Sequence, residues 1–183
     1  MNHRTGIRSL LLIVCGLLAA ERVRFANPLG PQVHLREKTG HYYTWIATPM
    51  KWSDANRFAT TFSTKVKGIV LDKWHLATIT DAGENDFVFR VVLQGGELSG
   101  SESSFLGAIV KDGSVGNFKW VTGEAFRYKN FAPSQPDLER ENVLEMGGVY
   151  GPQWNDEDGP GSPVEASHPF ILEHEPIRVT LLR

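Results

Sequence analysis

Gln135-Pro136-Asp137-Leu138-Glu139-Arg140-Glu141-Asn142-Val143-Leu144-Glu145-Met146, with Trp154-Asn155-Asp156-Glu157-Asp158 further along, is the stretch on which the reading of this chain turns. Its chemistry-bearing side chains are Gln135, Asp137, Glu139, Glu141, Glu145, Asn155, Asp156, Glu157 and Asp158. All are oxygen donors, with no Cys or His among them. Such a set suits Ca2+, which takes about six to eight oxygens from carboxylates, amides, carbonyls and water. Zinc or copper would favour nitrogen or sulfur. Composition alone reads first as a solvated acidic loop, a common feature. The order of the residues changes the weighting.

The flanking segments supply that order. His41 to Ile46 is aromatic and β-branched and predicts a strand, with Pro49 as a break after it. Trp52, Ala55, Phe58, Ala59 and Phe62 recur at helical spacing. His75 to Ile79 predicts a short strand. Asp81 followed by Glu84 has the spacing of a capping box, and Phe87, Val88, Val91 and Val92 give the next helix an apolar face that ends at Gly95-Gly96. Further strands are predicted over Phe105–Val110, Phe118–Val121, Val143–Met146, Val149–Trp154 and Pro169–Glu173. Strand–helix alternation stops after two helices, so the pattern is α+β rather than a doubly wound parallel sheet. Phe126 to Arg140 shows no period, and a loop of that length in a compact domain is usually functional or disordered.

In this order the chain resembles the C-type lectin family over nearly all of Gly40 to Glu175. Trp52 and Ala55 match the family's first helix. His75-Leu76-Ala77-Thr78-Ile79 and Glu84-Asn85-Asp86-Phe87-Val88 match its second strand and helix. Phe105-Leu106-Gly107-Ala108 stands where the family has Trp-Ile-Gly-Leu, Trp120-Val121-Thr122-Gly123-Glu124 where it has Trp-x-x-Gly, and Phe170-Ile171-Leu172-Glu173 where it has Phe-Ile-Cys-Glu. The resemblance implies a C-type-lectin-like fold with two helices, short antiparallel strands and a long calcium-binding loop.

It also implies a site. Gln135-Pro136-Asp137 and Trp154-Asn155-Asp156 match the family's two sugar-site motifs, and Glu141 stands where the family has a Glu before a short strand. The implied Ca2+ and sugar ligands are Gln135, Asp137, Glu141, Asn155 and Asp156, with Asp156 offering its carboxylate and its backbone carbonyl. The family has a cis peptide bond at the position of Pro136. X-Pro is nearly the only place where that bond is cheap, at about 0.5–1 kcal/mol. In the family, Gln-Pro-Asp accompanies galactose-type ligands and Glu-Pro-Asn mannose-type ones. The implied partner is a glycan. Because many members of the fold bind proteins, an extracellular protein is the alternative.

Three departures stand out. The spacing from Gln135 to Glu141 is shorter than in well-known members, which leaves Glu139 as a competing ligand. No Trp closely follows Asp137 to stack on a sugar face; Tyr150 and Phe131 are the nearby aromatics, read mainly as packing residues. The family's cysteines are missing, with Val143 and Leu172 at two of their positions.

The rest of the sequence narrows the class. Arg4, Arg8 and the apolar run Leu10 to Ala20 read as a secretory signal over residues 1–20, ending at Leu18-Ala19-Ala20. The run is short of the roughly 20 apolar residues that span a bilayer, so no stable membrane insertion of the mature chain is expected. Residues 21–39 read as a linker, 40–175 as the domain and 176–183 as a tail. The expected location is secreted or extracytoplasmic. Cys15, the only cysteine, lies in the signal. A formal net charge of -2 with no basic stripe gives no electrostatic reason to expect nucleic acid. The six histidines share no metal-binding spacing, and His168 reads as a strand or surface residue. There is no Gly-x-Ser-x-Gly, phosphate loop or His-Glu-x-x-His, so the chain reads as a non-catalytic module.

Overall fold

The computed structural model describes residues 31–100, 102–110, 117–137 and 141–177. The expected signal with Cys15, most of the expected linker, Glu139 and nearly all of the tail lie outside them.

In chain order the elements are β1 (Val33–Arg36), β2 (His41–Lys51), α1 (Trp52–Thr61), β3 (Thr64–Val66), β4 (Ile69–Leu71), β5 (Trp74–Leu76), α2 (Ala82–Phe87), β6 (Ser103–Ile109), β7 (Lys119–Trp120), β8 (Val143–Gly147), β9 (Trp154–Glu157) and β10 (Ser167–His174). The architecture is α+β. The main sheet runs β1-β2-β10-β6-β8-β9, with β5 also on β10, β7 also on β6, and β3-β4 as a separate hairpin. The central strand β10 pairs antiparallel with β2 and β5 and touches β6 in parallel at Phe170 and Phe105.

Period-two alternation along β10 feeds two apolar clusters. Phe170 and Leu172 join Ile46, Trp52, Ala55, Ala59, Trp74, Leu76 and Val143 under α1. Ile171 joins Tyr43, Val88, Val92, Leu106, Leu144, Met146 and Trp154 on the other face. Each fully buried side chain of this size contributes about 1.5–3 kcal/mol. The predicted first helix is therefore present, and its Trp52, Ala55 and Ala59 are buried as the spacing requires. Its N-terminus has no side-chain cap. Instead Trp52 anchors the first turn by donating its indole N–H to Leu106 O at 2.8 Å.

The second helix begins at the predicted cap. Asp81 accepts from Glu84 N at 2.8 Å, and Glu84 reaches back to Thr80 N at 2.7 Å. Past Phe87 the chain continues as one π turn, Val88–Val92, which inserts a residue and rotates the apolar face. Val91, expected on that face, is consequently exposed, and Leu93 is buried in its stead.

Several expectations are corrected. Pro49 does not end the strand. β2 continues to Lys51 because its pairing with β10 jumps from Ile46↔Phe170 to Met50↔His168, and Pro49 falls in the unpaired interval where no N–H is needed. Val149–Trp154 is not a strand. Gly147, Gly148 and Gly151 sit at φ 104, 54 and 58, which bends this segment into a short 3-10 turn, and extended structure resumes only at Trp154. Ordered structure also begins before Gly40, because β1 pairs Val33–Arg36 with Thr44–His41 inside the stretch read as linker.

Arg36 explains why β1 holds. It is 5% exposed and binds Asp81 at 2.8 Å and Glu84 at 3.6 Å. Glu84 also accepts from the Tyr43 hydroxyl, which lies 2.9 Å from a second acceptor, Glu173 Oε1. Arg36 thus neutralises buried Glu84 and the partly exposed Asp81 at the start of α2. Removing one partner of such a buried pair costs about 3–5 kcal/mol. Arg36→Ala is expected to lower unfolding free energy by about that amount in denaturant titrations. A change under about 1 kcal/mol would show that β1 is peripheral.

Candidate functional site

Trp154 organises the loop between β7 and β8. Its indole is fully buried and is ringed by Trp120, Phe126, Tyr128 and Phe131 at centroid distances of 5.5–6.1 Å. It donates to Asn85 Oδ1 at 2.7 Å, which ties β9 to α2. Its backbone accepts from Ala132 N at 2.9 Å and donates to Asn130 O at 2.8 Å. Gln135 N then closes a turn onto Ala132 O at 3.0 Å. This strapping lays Gln135-Pro136-Asp137 beside the residues that follow Trp154.

The Gln135–Pro136 bond is cis, as the resemblance implies. Asp137 N–H reaches Gln135 Oε1 at 3.0 Å and Asp156 Oδ1 at 3.2 Å. Carboxylate oxygens of exposed Asp137, half-buried Glu141 and fully buried Asp156 lie within 4.8 Å of one another. Burial pushes the Glu141 carboxyl up to about 8, helped by the negative charges of Asp156, Asp137, Glu157 and Asp158. In the absence of a cation the cluster repels itself.

Asn155 is nearly buried and directly follows Trp154 on β9. Its amide nitrogen donates to Glu145 Oε1 at 3.1 Å and to the backbone carbonyl of Asp156. Its Oδ1 is buried and has no hydrogen-bond partner. A buried orphan acceptor costs about 1–3 kcal/mol unless something meets it. Acidic and amide oxygens with one orphaned acceptor fit a hard cation such as Ca2+ better than a softer metal.

Asp137, Glu141 and Asp156 are therefore brought together, Gln135 is joined to them through Asp137 N–H, and Asn155 adjoins them through the Asp156 carbonyl. Phe131 is committed to packing against Phe118 and Trp154. Tyr150 is different. It is half-buried on the 3-10 turn, and its hydroxyl hydrogen-bonds Gln135 and feels the negative charges of Glu145, Glu141 and Asp137. Glu145 is a residue the sequence offered only as one oxygen donor among many. Its pairing with Asn155 across β8 and β9 gives it a specific place.

No family model matches the chain, and no curated protein does. Solved structures do. The C-type lectin CEL-I from Cucumaria echinata superposes with a TM-score of 0.59 at 22% identity, covering 74% of this chain and 90% of its own. The chain has the C-type-lectin-like fold. The mouse scavenger receptor C-type lectin carbohydrate-recognition domain gives 0.59 at 22%, covering 84% and 99%. A calcium-independent type II antifreeze protein gives 0.59 at 21%, covering 82% and 95%. One fold thus carries lectins and a protein described as calcium-independent. Among the described residues no helix is long and apolar enough to cross a membrane.

The raised Glu141 carboxyl has a definite consequence. Its folded value lies above the unfolded one, so in chelator its contribution is fully present below about pH 4.5 and is lost as pH rises through about 8. Glu141→Gln removes the repulsion. Solvent screening of a half-buried group holds the gain to about 1 kcal/mol. In chelator above pH 8 the variant is expected to melt about 2–4 °C higher than the parent chain, the two converging toward lower pH. An equal or lower melting temperature at high pH would mean that the carboxylates do not repel.

Proposed function

We propose that the chain is a calcium-dependent carbohydrate-binding module of galactose type, non-catalytic and acting outside the cytoplasm. The observation that carries this reading is the meeting of Asp137, Glu141 and Asp156 within 4.8 Å, with Asn155, next to Asp156 in sequence, holding a buried Oδ1 that has no hydrogen-bond partner. Gln135, Asp137, Glu141, Asn155 and Asp156 would hold the ion. When bound, Ca2+ supplies open positions to a pair of vicinal sugar hydroxyls. The chain's own part is to pair each hydroxyl, with amide NH2 groups donating and carboxylates accepting. Gln135 and Asp137 put amide and carboxylate in the order that the family uses for galactose. Tyr150, beside Gln135, offers the aromatic face that the segment after Asp137 lacks.

The likeness to CEL-I and to the scavenger receptor domain supports this reading. The likeness to a calcium-independent antifreeze protein favours the second reading, a protein-interaction or structural domain that needs neither ion nor sugar.

Thermal unfolding separates the two. Extracellular calcium sites often have Kd near 10⁻⁴–10⁻³ M. At the tighter end about 1 mM Ca2+ adds roughly 1.4 kcal/mol, or about 3–6 °C. That shift is expected for the parent chain and is lost in Asp137→Ala and Asn155→Ala, which also lose galactose binding on a glycan array. Tyr150→Ala is expected to keep the calcium shift and weaken galactose by about 5–10-fold, the range of a lost aromatic contact of about 1 kcal/mol. No calcium shift in a well-folded chain would sink the lectin reading and favour the second.

Glu141 adds a proton to this equilibrium. With its carboxyl at about 8, ion binding at pH 7 must displace that proton. Calorimetry in buffers of different ionisation enthalpy is expected to show about one proton released per ion at pH 7, and affinity rising toward pH 8. A buffer-independent heat would remove Glu141 from the ligand set.

A further inference from the structure

We propose that Glu145, Glu157 and His168 form a second metal site, for a divalent transition ion of the zinc class. The three residues come from different strands, β8, β9 and β10, and one donor atom from each lies within 4.8 Å of the other two. His168 Nε2 is 3.4 Å from Glu157 Oε2 and 3.6 Å from Glu145 Oε2. These are ion-pair contacts, and His168 also hydrogen-bonds Glu157, but both separations exceed the roughly 2.7–3.2 Å of a well-formed hydrogen bond. They match the edge of a coordination tetrahedron, since bonds of about 2.0–2.2 Å place neighbouring donors about 3.3–3.6 Å apart.

Glu145 supplies the independent observation. It is 3% exposed, and its two oxygens are treated differently. Oε1 accepts from Asn155 Nδ2 at 3.1 Å, and the Ser103 side chain also hydrogen-bonds the carboxylate. Oε2 is buried, faces His168 and has no hydrogen-bond partner. A carboxylate held by outer donors with one oxygen left bare is how ligating carboxylates are oriented. The imidazole is positioned edge-on against Phe105 at 5.0 Å. An imidazole with two carboxylates suits a borderline ion, whereas Ca2+ needs about six to eight oxygens that this group does not offer. The side chains of His168 and Glu157 are 19% and 23% exposed, which opens a path from solvent to buried Glu145.

The site is tested with the full chain and the metal alone. Zn2+ titration by calorimetry and Co2+ titration by visible absorption are expected to give one saturable site with the spectrum of tetrahedral cobalt. His168→Ala and Glu157→Gln should each weaken binding beyond the roughly 10–100-fold that losing an outer-shell partner causes. Asp137→Asn, which acts at the other cluster, should leave Zn2+ and Co2+ affinity within about 3-fold of the parent, and His41→Ala should do the same. Melting in chelator shows whether each variant is folded. Metal binding that survives both His168→Ala and Glu157→Gln, or that is lost in Asp137→Asn or His41→Ala, overturns the proposal. So does an octahedral cobalt spectrum. None of these results depends on whether the chain binds calcium or sugar.

Discussion

Trp154 is the constraint on which the rest of the site depends. Its indole closes the core between the sheet and the long loop, and losing a buried Trp typically costs about 3–5 kcal/mol. The residue also fixes position. Its N–H meets Asn85, its main chain pairs with Asn130 and Ala132, and four aromatic rings surround it. Asn155 and Asp156 follow it directly, so their depth below the surface is set by the indole. Gln135 and Asp137 are placed by the loop strapped to the same residue. A single packing event therefore delivers both halves of the acidic cluster.

The described residues contain no cysteine, so packing alone must hold the loop ends. Val143 and Leu172, which stand at two of the family's cysteine positions, are both fully buried under α1. Opposite Val143 the chain uses the smallest residue. A Cβ added to Gly159 would lie 2.5 Å from Val143 Cγ1, so the turn after β9 presses directly on β8. Apolar contact and close backbone approach occupy the place of a covalent bridge, with the buried Arg36 pairs holding the strand at the other edge. A disulfide would chiefly restrict the unfolded chain, whereas these contacts stabilise only the folded one.

Much of this was legible in the sequence. Helical spacing from Trp52 to Ala59, the Asp81–Glu84 cap, alternation through Phe170 to Leu172 and the two short motifs all express local rules. The misses had non-local causes. β1 reads as polar because Arg36 is buried by charges 45 and more residues away. The β3–β4 hairpin does have a local signal: Lys67-Gly68, at φ 50 and 85, forms the two-residue turn that suits tightly paired strands. Val91 was lost to a π turn that no periodicity announces. The grouping of Glu145, Glu157 and His168 has no sequence spacing to reveal it, since strand pairing alone brings them together. At the acidic cluster the motif named the residues, but only the fold separates Asp137, Glu141 and Asp156, which meet, from Asn155, whose amide also serves Glu145.

The electrostatics bear on why such a cluster exists. A solvated acidic loop keeps its carboxylates apart, because each gains hydration and avoids its neighbours. Here Asp156 is fully buried, Glu141 is driven up to about 8, and Asn155 Oδ1 is left without a partner. Each feature costs stability in an ion-free chain. The fold alone does not imply an ion, since a neighbour described as calcium-independent shares it. A set of costs concentrated at one place is what the proposed calcium site would offset. Glu145 extends the argument across β8, because its bare oxygen faces the opposite way, toward His168. Asn155 stands between the two groups and donates toward both, to Glu145 on one side and to the Asp156 carbonyl on the other.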